Sequence, residues 1–489
     1  MADSGRALAN EVPHVVVVGG GIAGLAAAFF LRDEPVRVTV LEGASVLGGK
    51  LAVSEVAGAP VDEGAEGLYI YRPKTTGLIA DAGLGEQVVT ADATGTSIWT
   101  RGKLRPLPAR QFMGVPSDMD ELARTGLVSD AGVDLAREDL KRPAAERDTD
   151  VSVAAFVAER LGQEVVDRLV DPFLNEVCSG RSEELSFEAT LAPLANASRT
   201  HASLAGAAGS LIPPPPPPGE ERPPGIATLA GGLGQLPPVL ADAVRASSEG
   251  SAVRTGAAVS ALARTGRGWR LTVGGPAGAE YIEADAVVVA VPAGPAGKLL
   301  AGVDGAAAAV DGLAGIPYTG RTVVTLAYAR GALPARIADE GICGYRVPAV
   351  DGRMVKAVTF STVKWPHMAD DVDLVRCTVG RVGEEDVLRR DDADLAAVAA
   401  AEVAGATGLT GDPVATRVNR WPDALPQYTV GHLDRIARIQ AAVAEQPGLA
   451  VCGAAYEGVG VGNCIASARK AARGVVKGLK KAGAFSAAS

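Results

Sequence analysis

Three glycines, at positions 19, 21 and 24, and an acid at position 42 are the residues of this chain whose types and spacing point to chemistry first. In Gly19-x-Gly21-x-x-Gly24 a side chain is missing at three places. There a backbone must turn tightly, approach a diphosphate, and let a helix lie close against a strand. Gly20, Ile22 and Ala23 complete the turn, and the N–H groups that open the following helix lie at the positive end of its dipole. Glu42 follows Gly24 by 18 residues, close to the ~20 at which a carboxylate meets ribose hydroxyls. The constellation predicts dinucleotide binding.

Such a site needs a strand, a helix and a second strand to hold it. "HVVVV" (14–18) is a short β-branched run of the kind that forms a buried parallel strand. "LAAAFFLRD" (25–33) reads as the helix, and "RVTVLE" (37–42) as the second strand, ending on Glu42. The apolar run 15–31 has 17 residues and three consecutive glycines, too short and too flexible for a ~20-residue membrane span. The segment ahead of it carries acids and lacks the basic character of an export signal. Neither an anchor nor a signal is expected.

The chain's 489 residues imply two or three domains. Hydrophobic residues make up 47% and charged ones 21%, a globular rather than disordered balance. A net charge of −10 argues against a general nucleic-acid surface. The five cysteines form no C-x-x-C pair and the four histidines are dispersed, so a reduced, cytoplasmic chain without a metal site is expected. No Ser/His/Asp set or carboxylate pair demands a catalytic role.

Helical patterns dominate 106–210, among them 164–191. Six prolines at 213–218 then make 212–225 a polyproline spacer or surface loop. Residues 227–244 read as a glycine turn into a helix. Residues 251–264, 268–273 and 285–293 read as strands, and 321–330, 354–360 and 374–380 as strands of a second sheet. Residues 392–408 read as a helix, and 448–483 as strand, loop and long helix.

A second glycine pair in "LGGK" (47–50), then "VDEGAEGL" (61–68), resembles the flavin-binding pattern of the glutathione-reductase-like oxidases, which include the amine oxidases. No second G-x-G-x-x-G follows a strand, so no nicotinamide site is expected. A flavoprotein of that kind takes electrons from its substrate and passes them elsewhere, most simply to oxygen. Later segments are more specific. "RLVDPFLNEVCSGRSEELS", "LAGGLGQLP", "WPDALPQYTVGH" and "GAAYEGVGVGNCIASARKAA", with the two earlier glycine segments, resemble the protoporphyrinogen/coproporphyrinogen oxidase family of haem biosynthesis from residue 15 to about 473. Within it the coproporphyrinogen III-oxidising forms of Gram-positive bacteria are most similar.

The resemblance implies an α/β fold with α+β insertions. Its parts are a Rossmann-like FAD-binding domain of the glutathione-reductase/amine-oxidase type (1–95, 221–300 and 415–489), a mixed-sheet substrate domain (96–105 and 301–414) and a helical domain (106–220). It places FAD against Gly19 to Gly24, Glu42, Gly43, Gly49, Lys50 and the loop Gly64, Ala65, Glu66, Gly67. Val259 would lie near the adenine, Trp421 near the flavin ring, and Val459, Gly460 and Val461 along the ribityl chain and ring edge. Asn463 stands where the family commonly has Asp, Ala468 where Gly is common, and "GAEGLYIYRP" departs from the usual Gly-Pro-x-Ser-Phe form.

The implied reaction is a six-electron oxidation of a porphyrinogen. Three hydride transfers from bridge carbons to flavin N5 carry the six electrons, pyrrole N–H protons leave to solvent, and three dioxygen molecules become H₂O₂. Propionate groups call for cations: Arg72 first, then Lys74, Arg346 and Lys364, in a pocket otherwise lined by aliphatic side chains. Protoporphyrinogen IX, an amine or a polyene are alternative substrates. A flavin-free binding protein like the GDP-dissociation inhibitors is disfavoured by Glu42 and the intact glycine turn. A transient contact with a ferrochelatase and peripheral membrane association through the helical region complete the expectations.

Overall fold

The structure is a computed structural model describing residues 12–70, 73–143, 149–214, 217, 225–274 and 278–484. The sequence around the glycine turn folds as local physics dictates. β1 (His14–Val18) runs through the turn into α1 (Ile22–Leu31), and β2 (Arg37–Leu41) returns parallel to β1. Three more parallel strands complete a central sheet in the order Ala252–Arg254, β2, β1, Ala286–Val289, Leu449–Val451.

Alternation along these buried strands sorts two cores. Val15, Val17, Val38, Val40 and Val288 face a helical layer of α1, Leu236–Arg245 and the final helix Val461–Lys481. Val16, Val18, Leu41, Val287 and Val289 face an antiparallel meander (Val259–Arg264, Trp269–Val273, Glu280–Ala284) and the helices Ala293–Leu300, Ala307–Ala314 and His432–Ala444. Gly24 lets the helical layer come close: a Cβ there would sit 1.9 Å from the Gly19 carbonyl oxygen.

A second sheet of seven strands is ordered Ala415–Pro426, Tyr318–Ala329, Val372–Val379, Val355–Phe360, Ile342–Arg346, Gly95–Thr100, Lys103–Pro106. It is antiparallel except where Ile342–Arg346 meets Gly95–Thr100. One face packs Val324, Leu326, Val375 and Cys377 against the helix Asp392–Thr407. The opposite face carries polar side chains and meets the nucleotide-binding body. Helices between Met119 and Ser210 gather around a third apolar core. There Arg160, 5% exposed, pairs with the fully buried Asp139 and donates to the Pro143 and Ala202 carbonyls at 2.8 Å.

Two elements differ from the sequence reading, and a third is not anticipated by it. Residues 251–264 are two strands in different sheets, broken at Gly256, whose φ of +64° ends the first. The 164–191 run contains a π-helical turn, Val166–Val170, that leads into the helix Asp171–Cys178. Ala415–Pro426 is a 12-residue strand despite Pro422 and Pro426. It is the edge of its sheet, where a missing N–H costs little. Of the spacer, 215–216 and 218–224 lie outside the described residues.

Candidate flavin and substrate site

Gly19 turns the chain with φ +111°, and its N–H donates to the Leu41 carbonyl at 2.8 Å. The Glu42 carboxylate then accepts the N–H groups of Gly20 (2.6 Å) and Ala44 (2.7 Å), which locks the acid at the end of β2. The second glycine segment lies directly on the first: Gly48 N–H donates to the Gly20 carbonyl at 2.9 Å, and a Cβ on Gly49 would be 3.4 Å from the Gly21 Cα. Val259 opens the meander just after Ala257, whose N–H donates to the Glu42 carbonyl at 2.7 Å. A Cβ on Gly43 would lie 3.4 Å from the Ala258 Cβ.

Two helices open into the same region on glycine N-caps, which have no side chain of their own to cap the first turn. α1 starts at Gly21 and the final helix at Gly460, and neither N-cap has a side-chain partner or an acid in its first turn. A Cβ built on Gly21 or on Gly460 meets no protein atom within 4 Å. Helix-end N–H groups, open space and the positive ends of two dipoles suit a diphosphate at one helix and an electron-rich ring at the other. These residues fit FAD. Lys50 lies half-buried nearby. Desolvation lowers its ammonium from the ordinary value, offset in part by Cys464 and Asp423.

The loop after Asp62 is gripped from the second sheet. Gly64 is required there, since a Cβ would strike the Lys50 carbonyl oxygen at 2.0 Å. Glu63 accepts from Arg417 and Asn419, each at 2.6 Å, and its main-chain oxygen accepts from Trp421 Nε1 at 3.1 Å. Glu66 accepts from Lys364 Nζ at 2.6 Å and from Arg376 at 3.1 Å, and Arg376 also donates to the Gly64 carbonyl. Burial alone would raise the Glu66 carboxyl. Lys364 and Arg376 outweigh it and hold the group down to about 2. The Lys364 ammonium, which burial would lower, is raised by Glu66. Glu66 therefore turns its carboxylate to the sheet and offers a cofactor its main chain. Ala65 is tied to Lys50 by an N–H to carbonyl bond of 3.2 Å.

Beside this clamp is a cavity of about 460 Å³, lined in part by Arg346, Lys364, Glu176, Tyr69, Tyr345 and Ile226. Arg346 pairs with Glu176. The half-buried Arg321 donates to the Asn175 and Glu176 carbonyls, and desolvation together with the neighbouring Arg376 lowers its guanidinium to about 10. The structure thus brings Arg346 and Lys364 into one cavity. Lys74 lies in the helix Pro73–Asp81, and Arg72 falls outside the described residues. Tyrosines and threonines share the cavity wall with Ile226 and Val358, so the lining is more polar than the aliphatic pocket expected from the sequence.

Sequence reasoning passed over Glu63, Glu176, Arg321, Arg376, Arg417 and Asn419. A signal existed for two of them: in "RVNRW", Arg417, Asn419 and Trp421 alternate and so share one strand face. Arg376 and Glu66, 310 residues apart, left none.

Asp62, 2% exposed, is pushed up to about 7 by burial, against the stabilising Leu233 N–H. A raised acid binds its proton more tightly in the folded state. Its contribution is complete below pH ~4 and is lost as pH rises through about 7. Asp62→Asn is expected to flatten the stability–pH curve over that window by roughly 2–4 kcal/mol. Melts from pH 4 to 8.5 that show the wild-type slope unchanged would refute it.

The comparisons with known proteins agree with this geometry. Residues 22–476 match the family described as flavin containing amine oxidoreductase. A coproporphyrinogen III oxidase of Mycobacterium tuberculosis is 34% identical over 95% of this chain and 97% of its own length. One of Bacillus subtilis is 29% identical over 92% and 95%. Among solved structures, a protein from Exiguobacterium described as a protoporphyrinogen oxidase matches with a TM-score of 0.81 at 28% identity, covering 96% of this chain and 99% of that one. Cyclohexylamine oxidase from Brevibacterium oxydans shares the fold, with a TM-score of 0.71 at 18% identity over 96% and 100%. Among the described residues no helix is long and apolar enough to cross a membrane. The chain is a FAD-dependent enzyme of the flavin-containing amine oxidoreductase family, in the branch that holds the coproporphyrinogen III oxidases.

Proposed function

We propose that this chain oxidises coproporphyrinogen III to coproporphyrin III, with dioxygen as the final acceptor. The observation that carries the reading is the cavity against the flavin loop, lined by Arg346 and Lys364 with Glu176. With Arg321 and Arg376 behind its wall, four cations stand against two carboxylates, Glu66 and Glu176. That excess of positive charge suits a substrate bearing carboxylates. When bound, the flavin supplies a two-electron acceptor that oxygen can restore. The residues of the chain bind, orient and exclude water. Arg346, whose Nε is committed to Glu176, has its remaining donors for a propionate. Lys364 and Arg376 fix the Gly64–Gly67 loop, so the ring's neighbour does not move when the macrocycle enters. No side chain is required to transfer a proton, because pyrrole N–H protons can leave to solvent.

The test is anaerobic. Coproporphyrinogen III and protoporphyrinogen IX are each mixed with the holoenzyme, flavin bleaching is followed, and air is then admitted while porphyrin fluorescence is read. Bleaching by coproporphyrinogen III is expected, with three turnovers of flavin per porphyrin. Faster bleaching by protoporphyrinogen IX would move the assignment to the second substrate, and no bleaching by either would end it. Arg346→Ala is expected to raise KM for coproporphyrinogen III by roughly 10- to 100-fold with kcat little changed, the mark of lost substrate binding. The same reading carries a cytoplasmic location and transient handover of product to a ferrochelatase, tested by product channelling between the purified enzymes.

A further inference from the structure

Three segments singled out in the sequence meet at one side chain. Tyr428, 8% exposed, lies in "ALPQYTVGH". Its main-chain carbonyl accepts the Ser186 N–H at 2.7 Å, and the next ties run from Gln427 Nε2 to the Cys178 carbonyl (2.9 Å) and from Val430 N–H to the Glu184 carbonyl (3.2 Å). These bonds fasten the segment to "DPFLNEVCSGRSEELS", the wall that supplies Glu176 to the cavity. On the other side the Tyr428 hydroxyl donates to the Ala454 carbonyl and accepts the Gly458 N–H at 2.7 Å. Its donor and its acceptor are thus both spent on "AAYEGVGVGN". The ring is fixed too, stacked on the fully buried His432 at 3.9 Å between centroids and 13° between planes.

Gly458, at φ +124°, is two residues before Gly460, the uncapped start of the final helix that opens on empty space. The hydroxyl is therefore placed to set the direction of the N–H groups that would face a bound flavin. We propose that Tyr428 is a positioning residue for the flavin-facing loop 458–461, coupling the cavity wall to the cofactor through a single hydroxyl group. It touches neither substrate nor flavin. Removing the oxygen leaves the partly buried Gly458 N–H and Ala454 carbonyl without this shared partner and lets the helix start drift. An electron-rich ring depends on that helix end most when it carries additional charge, so the reduced cofactor is held less well than the oxidised one.

The test uses full-length protein and no porphyrinogen, so its outcome is separate from the substrate assignment. Tyr428→Phe is compared with His432→Phe, which keeps a ring under Tyr428 and leaves the hydroxyl in place. Three quantities are read: the FAD dissociation constant, the flavin midpoint potential, and the melting temperature of the apoprotein. For Tyr428→Phe, oxidised FAD is expected to bind roughly threefold more weakly and reduced FAD roughly thirtyfold. That tenfold difference lowers the two-electron potential by about 30 mV. The visible flavin bands shift, and the apoprotein melts near the wild-type temperature. For His432→Phe, melting changes while affinity and potential stay within twofold and a few millivolts. A Tyr428→Phe protein with wild-type affinity and potential overturns the proposal. So does a His432→Phe protein that loses as much as Tyr428→Phe, since general loosening would then explain both. Failure of Tyr428→Phe to fold would make the hydroxyl structural and also overturns it.

Discussion

Gly21→Val is expected to leave the apoprotein intact and to strip it of FAD. The position is an ordinary one for an L-residue, at φ −74° and ψ 176°, and a Cβ there meets nothing within 4 Å. No strain or clash opposes the substitution, so the apoprotein should melt within a few degrees of wild type. The space it fills is the approach to the free N–H groups of α1. Two or three charge-assisted bonds to a diphosphate would be lost there, each worth about 1.5–3 kcal/mol. That predicts FAD binding weaker by at least about 10²-fold.

Gly24→Ala makes the contrast. Its Cβ would overlap the Gly19 carbonyl oxygen at 1.9 Å, so α1 must move off the sheet and the apoprotein itself should lose several kcal/mol. Calorimetry of both apoproteins with FAD titration separates a glycine kept for ligand space from one kept for packing. Wild-type FAD affinity in Gly21→Val would remove the diphosphate from this turn.

Why these glycines were legible and other groups were not is a matter of distance along the chain. β1, the turn, α1, β2 and Glu42 occupy 29 consecutive residues (14–42), and each is fixed by neighbours within that span. The family resemblance supplied the remaining cofactor segments as phrases, but no phrase says which segment touches which. Trp421 bonds the Glu63 carbonyl across 358 positions, and Arg376 bonds Glu66 across 310. Neither partner's sequence neighbourhood announces the other. The strand Ala415–Pro426 went unread for a related reason: its two prolines argue against a strand, and an edge position is a property of the finished sheet. The break at Gly256 could have been read: a lone glycine inside a strand pattern is a known place for the chain to turn. Glu66 was legible as a member of the loop, but its carboxylate points away from the cofactor. A loop residue's identity does not say which face its side chain takes.

That orientation makes Glu66 the most consequential carboxylate of the seam. It is 13% exposed, as are the Lys364 and Arg376 side chains that flank it. Glu66→Ala would leave two enclosed cations facing one another with no counter-charge. Breaking a buried pair by removing one partner typically costs about 3–5 kcal/mol, most of it the uncompensated charge. A loss of that size is expected in urea unfolding of the holoenzyme. The pH dependence has a definite sign. Glu66 is depressed to about 2 in the folded state, so its contribution is present above the unfolded value near 4.3 and falls away as pH drops through about 2. Between pH 5 and pH 2 the wild type should therefore lose stability that Glu66→Ala does not possess, and the two curves should converge. Adding Lys364→Met to Glu66→Ala removes one of the stranded cations and should recover at least half of the loss at pH 7. If the double variant is as unstable as the single one, repulsion between Lys364 and Arg376 is not what the carboxylate offsets. The loop would then be held by its other bonds, those of Glu63 and Gly64 to Arg417, Asn419, Trp421 and Arg376 and of Ala65 to Lys50.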